Sequence, residues 1–420
     1  MGIIHGGRLA MLALICMLLF NHAVLASGED ELTVAAQSHR QPIHFNGEMF
    51  SGPGYETLLD EGRQAHFFLI GEEHGIAENP LLAAQLFRDL AEVGYRRLAI
   101  EISPPMADAV DQALADGLDG LRALYAEPGG EPAFFGMQQE AELLATIRAA
   151  VPEGEPALWG CDYEVAGDRT LLRRLSAIGP PPGAHDAFDA LVRASDTGWS
   201  QWAETGNPQF VFSFSGAPEL VANLRKVWPE RNAEVNSILD TLEQTLIINR
   251  FWTTGQGYAS NVQRGALLRK NFLAHWQTLP PNEPKPRVMA KFGASHLLRG
   301  LNTNHSWDLG ALIPELAQIE GRSSVSVLVL PGVDSDIARF DPTRWSYVPA
   351  PAKDGYANGL EPIVDAAFDD QFTLIHLAPL RPRIIAQAKG LHSRLLQMAM
   401  GFDYVLIMSG STPADELVHP

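Results

Sequence analysis

The sequence predicts an α/β protein: a mainly parallel central sheet flanked by helices, with a helical insertion acting as a lid. Two observations carry this. Apolar runs with no polar face, such as residues 67–70 (FFLI), alternate with amphipathic helical patterns, which is how strands covered on both faces read. From residue 168 to residue 280 strand signals nearly vanish, and Leu, Ile, Val and Trp recur at helical spacings between proline breakers.

The first run stops at Gly71, Glu72, Glu73 and His74. In open α/β sheets ligands gather beyond the carboxyl ends of strands, so this is the reactive edge, and Gly71 is read as the point where the backbone turns. A chain that stays extended puts Glu72 and His74 on one side and Glu73 on the other. Asn79 reads as the cap of a helix starting at Pro80 and carrying Leu82, Leu86 and Leu90. The second run, residues 97–102 (RLAIEI), ends at Glu101 before Pro104 and Pro105. Strand, helix and second strand form a βαβ unit, which places Glu72 and Glu101 at adjacent strand ends. A helix over residues 135–150 and a short strand over residues 156–161 (PALWGC) follow, with Asp162 at the strand exit. Beyond the helical block, strands are expected at residues 287–292, 324–330, 372–377 and 404–408. Residues 331–370, rich in Pro, Asp and Gly, read as loop or lid. Trp199, Trp202, Phe210, Phe212, Phe214 and Trp252 could line an apolar pocket under the helical block.

An apolar content of 46% makes the chain globular, and residues 61–420 are read as one α/β catalytic domain with the insertion at 168–280. Residues 27–60 are polar and read as an exposed lead-in. Residues 1–26 carry Arg8, an apolar segment and a small-residue site before Ser27, the pattern of a signal peptide. The expected location is therefore periplasmic or extracellular, with no stable membrane span after its removal. Cys161 would then be the single cysteine, which excludes an intrachain disulfide. A net charge of -19 without any basic block argues against nucleic acid and leaves a small-molecule or peptide substrate.

Chemistry concentrates at an echo. Gly71-Glu-Glu-His74 and Gly293-Ala-Ser-His296 both follow an apolar strand with the same glycine-to-histidine step, so both imidazoles should leave one sheet edge. Glu72 and Glu101, at strand ends, need a cationic partner, and Arg264 in RGALLRKNFLAHW supplies one, with Asn271 about two turns further along the same helix face. Two mechanisms stay open. His74, oriented by Glu72, acts as general base on water while Arg264 and His296 stabilise the oxyanion. Alternatively His74, His296 and Glu101 hold a divalent ion such as Mn, Co or Zn that acidifies a bound water. Glu73, Asp162, Asn271 and Ser295 are expected to line the cleft.

Taken together, Gly71 to His74, Glu101, Gly160-Cys161-Asp162, Arg264 with Asn271, and Gly293 to His296 resemble the erythromycin esterase-like superfamily, which also takes in the Tiki and TraB metalloproteases and the ChaN-type haem-binding lipoproteins. The resemblance runs from about His66 to Leu301. It implies a parallel sheet with a helical lid and a histidine that activates water for lactone or ester hydrolysis, a role that falls on His74 with Glu72, Glu101, Arg264 and His296 around it. The alternative it implies is a haem- or iron-binding protein without turnover. The spacing of two residues between Gly71 and His74 is that of the Tiki and ChaN branches, and Gly265 stands where the esterases commonly have an acidic residue.

Overall fold

The computed structural model describes residues 29–280, 284–352 and 358–418, so the signal-peptide reading of residues 1–26 lies outside the described part. The strands are β1 (Arg40–Phe45), β2 (Phe50–Ser51), β3 (Phe67–Glu72), β4 (Tyr95–Ile100), β5 (Leu158–Gly160), β6 (Arg287–Gly293), β7 (Ser324–Pro331), β8 (Asp336–Asp341), β9 (Ser346–Pro351), β10 (Phe372–His376) and β11 (Tyr404–Met408). Nine of them form one sheet in the order β2-β1-β10-β11-β7-β3-β6-β4-β5. From β11 to β5 neighbours pair in parallel, while β10, β1 and β2 add an antiparallel edge. Among the described residues no helix is long and apolar enough to cross a membrane.

The period-2 side-chain alternation explains why the central strands read as unbroken apolar runs. Phe68 and Ile70 of β3 enter the core on one face with Leu98, Ile100 and Met289; Phe67 and Leu69 enter the core on the other with Ala99, Val288, Ala290 and Phe292. Helices Glu78–Leu90 and Gln138–Ala150 cover the first face. Gly257–Thr278, through Leu268, Phe272 and Trp276, covers the second.

Several expectations need correction. β3 and β4 are not neighbours, because β6 lies between them, and that is what brings the second glycine-histidine step into the middle of the site. Gly71 does not turn the chain. The strand continues through it to Glu72, and its missing side chain makes room for the Phe402 ring, 2.7 Å from where a Cβ would stand. The turn falls instead at Gly75, with φ 92°. Asn79 is no cap, since the helix runs Glu78–Leu90 and Asn79 sits in its first turn.

Of the expected lead-in at 27–60, the described residues 29–60 are not simply exposed. Arg40–Phe45 is paired to β10, and helix Pro53–Gln64 buries Tyr55, Leu58 and Leu59. Only Ile43 of β1 is fully buried, so this edge strand shows little apolar signal. Residues 331–370 include the β8–β9 hairpin, which packs on the turn after His74: the Ala338 N–H donates to the Gly75 carbonyl at 2.9 Å. The helical block has an apolar core of its own, including Leu175, Leu191, Leu224 and Leu242, and is tied to the sheet by its last helix.

Candidate active site

Glu72 is the last residue of β3, and its neighbour across β6 follows from register. Ile70 pairs with Lys291 and Glu72 with Gly293, so the Lys291 and Glu72 side chains leave the same sheet face one step apart. Lys291 Nζ donates to Glu72 Oε1 at 2.7 Å and to Glu140 Oε1 at 2.6 Å. No part of the Lys291 side chain is exposed, which would cost several kcal/mol without such partners. Burial opposes the Glu72 charge, but Lys291, together with the His74 hydrogen bond, holds the carboxyl below its ordinary range. Its other oxygen accepts from Asn79 Nδ2.

His74 Nδ1 lies 2.8 Å from Glu72 Oε1. Because that carboxylate is an acceptor only, Nδ1 carries the proton and neutral His74 presents a lone pair on Nε2. Burial pushes the His74 pKa down, yet Glu72 and then Glu101 outweigh it, and the net shift is upward. Nε2 points toward Glu101 Oε2 at 3.6 Å, too far for a direct hydrogen bond. The Phe134 ring stacks flat on the imidazole, 3.9 Å between centroids. Phe134 holds a left-handed backbone at φ 66°, a costly conformation for a bulky residue, and its N–H is fixed to the Tyr347 hydroxyl at 2.8 Å.

Glu101 is the hub. Its Oε2 accepts from the Gly293 N–H at 2.7 Å, and its Oε1 accepts from Arg264 Nη2 at 2.6 Å and lies 3.3 Å from His296 Nε2. Burial raises its pKa, but His296, Arg264 and His74 reverse that and take it well below the usual carboxylate value. Arg264 also grips Asp162, with Nε 3.1 Å from each carboxylate oxygen, and packs over the Tyr163 ring at 4.9 Å. Burial opposes the guanidinium charge, and Asp162, Tyr163 and Glu101 together hold it protonated. His296 Nδ1 pairs with Asp308 Oδ2 at 2.7 Å. Between two carboxylates, and against burial, its pKa rises to about 10.

The two histidines therefore meet on one carboxylate, and Gly293 keeps the ground between them open. A Cβ there would stand 3.1 Å from His74 Nε2, 3.4 Å from Glu101 Oε2 and 3.8 Å from His296 Cδ2. Exposure sorts the cluster. The side chains of His74 and Arg264 are 22% and 23% exposed, whereas those of Glu72, Glu101, Asp162 and Asp308 are at most 4% and His296 9%. Only His74 and Arg264 reach solvent appreciably.

Of the other expected cleft residues, Asp162 belongs to the cluster as the anchor of Arg264. Asn271 does not: its amide donates to the Cys161 carbonyl at 2.9 Å and steadies the end of β5. Ser295 turns to Thr303 and Asn304 rather than to either imidazole. Glu73 is half-buried on the far side, its N–H bonded to the Val329 carbonyl. His296 has both ring nitrogens directed at carboxylates, so it positions Glu101 and is not directed at an oxyanion.

The proposed metal set of His74, His296 and Glu101 does not fit. Glu101 Oε1 already faces the Arg264 guanidinium and His296, so cations fill the place a divalent ion would take. Among the described residues no group of three or more His, Cys, Asp or Glu is arranged to hold one.

Sequence reasoning missed Lys291, Glu140, Asp308 and Phe134. A lysine inside the apolar run MAKF was a signal, since a buried ammonium requires carboxylates. So was Glu140, in register with Leu143, Leu144 and Ile147 on the buried stripe of its helix. Asp308 was readable only as a helix cap, and Phe134 carried no signal.

No family model matches the chain, and no curated protein matches it significantly. Solved structures do match in fold. A protein from Bacillus cereus aligns at 12% identity over 93% of this chain and 99% of its own, TM-score 0.59. A succinoglycan biosynthesis protein aligns at 11% identity over 92% and 98%, TM-score 0.56. A variant of the erythromycin esterase EreC in its open conformation aligns at 17% identity over 87% and 95%, TM-score 0.54. The chain shares the fold of these three structures.

Proposed function

We propose that this protein is a hydrolase of ester, lactone or amide bonds in small-molecule or peptide substrates, with His74 as the general base. The observation that carries the proposal is the orientation of His74. Its Nδ1 is fixed on a carboxylate that Lys291 keeps ionised, and its Nε2 faces the ground left open by the missing Gly293 side chain, where we place the attacking water. In the reaction Nε2 takes a proton from that water as its oxygen adds to the substrate carbonyl carbon. The negative charge that develops on the carbonyl oxygen is met by the solvent-facing edge of Arg264, whose other edge Asp162 and Glu101 hold in place. Collapse of the tetrahedral adduct expels the alcohol or amine, which receives the proton held by His74. No step requires a metal ion. The amino-terminal segment supports action outside the cytoplasm, which fractionation of the source cells would check.

The test is a panel of nitrophenyl esters, lactones and short peptides, assayed with the protein and with His74→Ala. Loss of turnover with an unchanged melting temperature is expected. Equal turnover by the two would remove His74 from the chemistry and the proposal with it.

A further inference from the structure

A second chamber lies behind the Phe134 segment. It is a half-open pocket of about 230 Å³, lined by Tyr125, Glu127, Glu131, Trp202, Trp345, Tyr347 and Glu416 among others, sharing no lining residue with the His74 cluster. Trp202 and Trp345 meet edge to face with ring centroids 5.7 Å apart, giving one wall an aromatic surface. Of the helical-block aromatics expected to line a pocket, Trp202 does so here. Trp199 is buried on Asp168, Phe212 is core, and Trp252 is 57% exposed.

The charges in this chamber are unevenly used. Glu127 is paired with Arg173 at 2.9 Å, and Arg344 faces Asp341 at 3.7 Å. Glu416 spends one oxygen on the Tyr347 N–H at 2.7 Å. Glu131 faces Glu416, a like charge. Tyr125, only 3% exposed, contributes to the wall, with its hydroxyl sealed away from the open space. Two neighbouring carboxylates repel, so this corner favours a positively charged guest.

We propose that this chamber binds an organic cation, a protonated or quaternary alkylamine, seated against Trp202 and Trp345 with its charge toward Glu131 and Glu416. Aromatic faces beside carboxylates are the surroundings that recognise such groups. A bare metal ion is the poorer guest, because the volume far exceeds the roughly 30 Å³ of one water and no group of three metal-ligating side chains is present among the described residues. This site does not depend on the hydrolase reading.

Burial, with Glu416, raises the Glu131 pKa to about 7, so Glu131 gains its charge as pH rises through neutrality and binding tightens from pH 6 to pH 8. The experiment is titration of the full-length protein with choline and with its neutral isostere 3,3-dimethylbutan-1-ol, followed by calorimetry and tryptophan fluorescence. Choline is expected to bind about tenfold more tightly than the alcohol, and Glu131→Gln, Glu416→Gln or Trp202→Ala to weaken it about tenfold or more. His74→Ala should bind choline as the parent does, which separates this site from the reacting centre. Equal affinity for choline and the alcohol, no choline binding by protein that melts normally, or binding unchanged in all three chamber variants would each overturn the proposal.

Discussion

The ends of β3 and β6 carry the same motif, glycine, two residues, histidine, and the fold gives them opposite roles. At the end of β3 the histidine has one nitrogen on a carboxylate and the other beside a gap, with 22% of its side chain exposed. At the end of β6 the histidine is sealed between Asp308 and Glu101, with 9% exposed. The first is an imidazole able to exchange a proton with a bound water. The second is held as an imidazolium, its pKa near 10, and works as a fixed cation beneath Glu101. A shared motif thus specified where a histidine sits, and the surrounding carboxylates decided what it can do.

The sharpest way to break the comparison is to delete each ring. His74→Ala is expected to lower kcat/KM about a thousandfold, within the range for removing a general base together with its orientation, at a stability cost within about 1 kcal/mol. His296→Ala should do the reverse in kind, lowering the melting temperature markedly because Glu101 and Asp308 lose a buried partner. Nearly as large is the expected effect of Lys291→Met. It strips the ammonium from Glu72 and Glu140, and breaking a buried ion pair this way costs about 3–5 kcal/mol by urea unfolding. A stability loss under 1 kcal/mol would mean that the two carboxyls take up protons and do without the lysine.

Which parts of this were readable beforehand follows from what a local pattern can encode. The central strands could be placed because burial on both faces leaves an unmistakable apolar run, and Glu72, Glu101, Arg264 and both histidines could be placed because they stand at the ends of such runs or opposite them. The order of the strands was not local information. Nothing near residue 67 or residue 95 states that residues 287–293 will come between them, so the expected adjacency of β3 and β4 failed. The edge strand β1 and the β8–β9 hairpin were missed because one exposed face and several prolines dilute the alternation. Lys291 was overlooked because the strand over residues 287–292 was read for its apolar run alone, without asking which carboxylates a buried ammonium there would need.

pH sharpens the contrast further. A histidine whose folded pKa is raised above its ordinary value near 6.5 contributes its full stabilisation below that pH and loses it as pH climbs through the folded value. For His296 that window runs from about 6.5 to about 10, so unfolding free energy should fall on the order of 2–4 kcal/mol between pH 7 and pH 10, and His296→Asn should flatten the decline. His74, with its pKa also raised, must lose its proton before it can act as a base, so turnover should rise with pH while stability declines. Urea titrations and kcat/KM profiles on one set of buffers would show whether the curves cross this way; parallel curves would mean that one histidine governs both.

The smallest expected effect gives the finest test, because it changes neither histidine. Gly293 has φ -49° and ψ 136°, which alanine adopts without backbone strain, so Gly293→Ala should fold, with at most a small loss of stability where the new methyl presses on the imidazole. Its new methyl carbon would stand 3.1 Å from His74 Nε2 and 3.4 Å from Glu101 Oε2, in the space assigned to the attacking water, while staying 3.8 Å from the His296 ring in ordinary contact. The β3 histidine loses its water and the β6 histidine loses nothing. The expected result is a fall of about tenfold to a hundredfold in kcat, since displacing the water or shifting the imidazole by a fraction of an ångström costs on that order. The His296-dependent decline of stability with pH should be unchanged. Full activity in this variant would show that the water approaches His74 from elsewhere, and the gap over Gly293 would then be a packing feature of two adjacent strand ends.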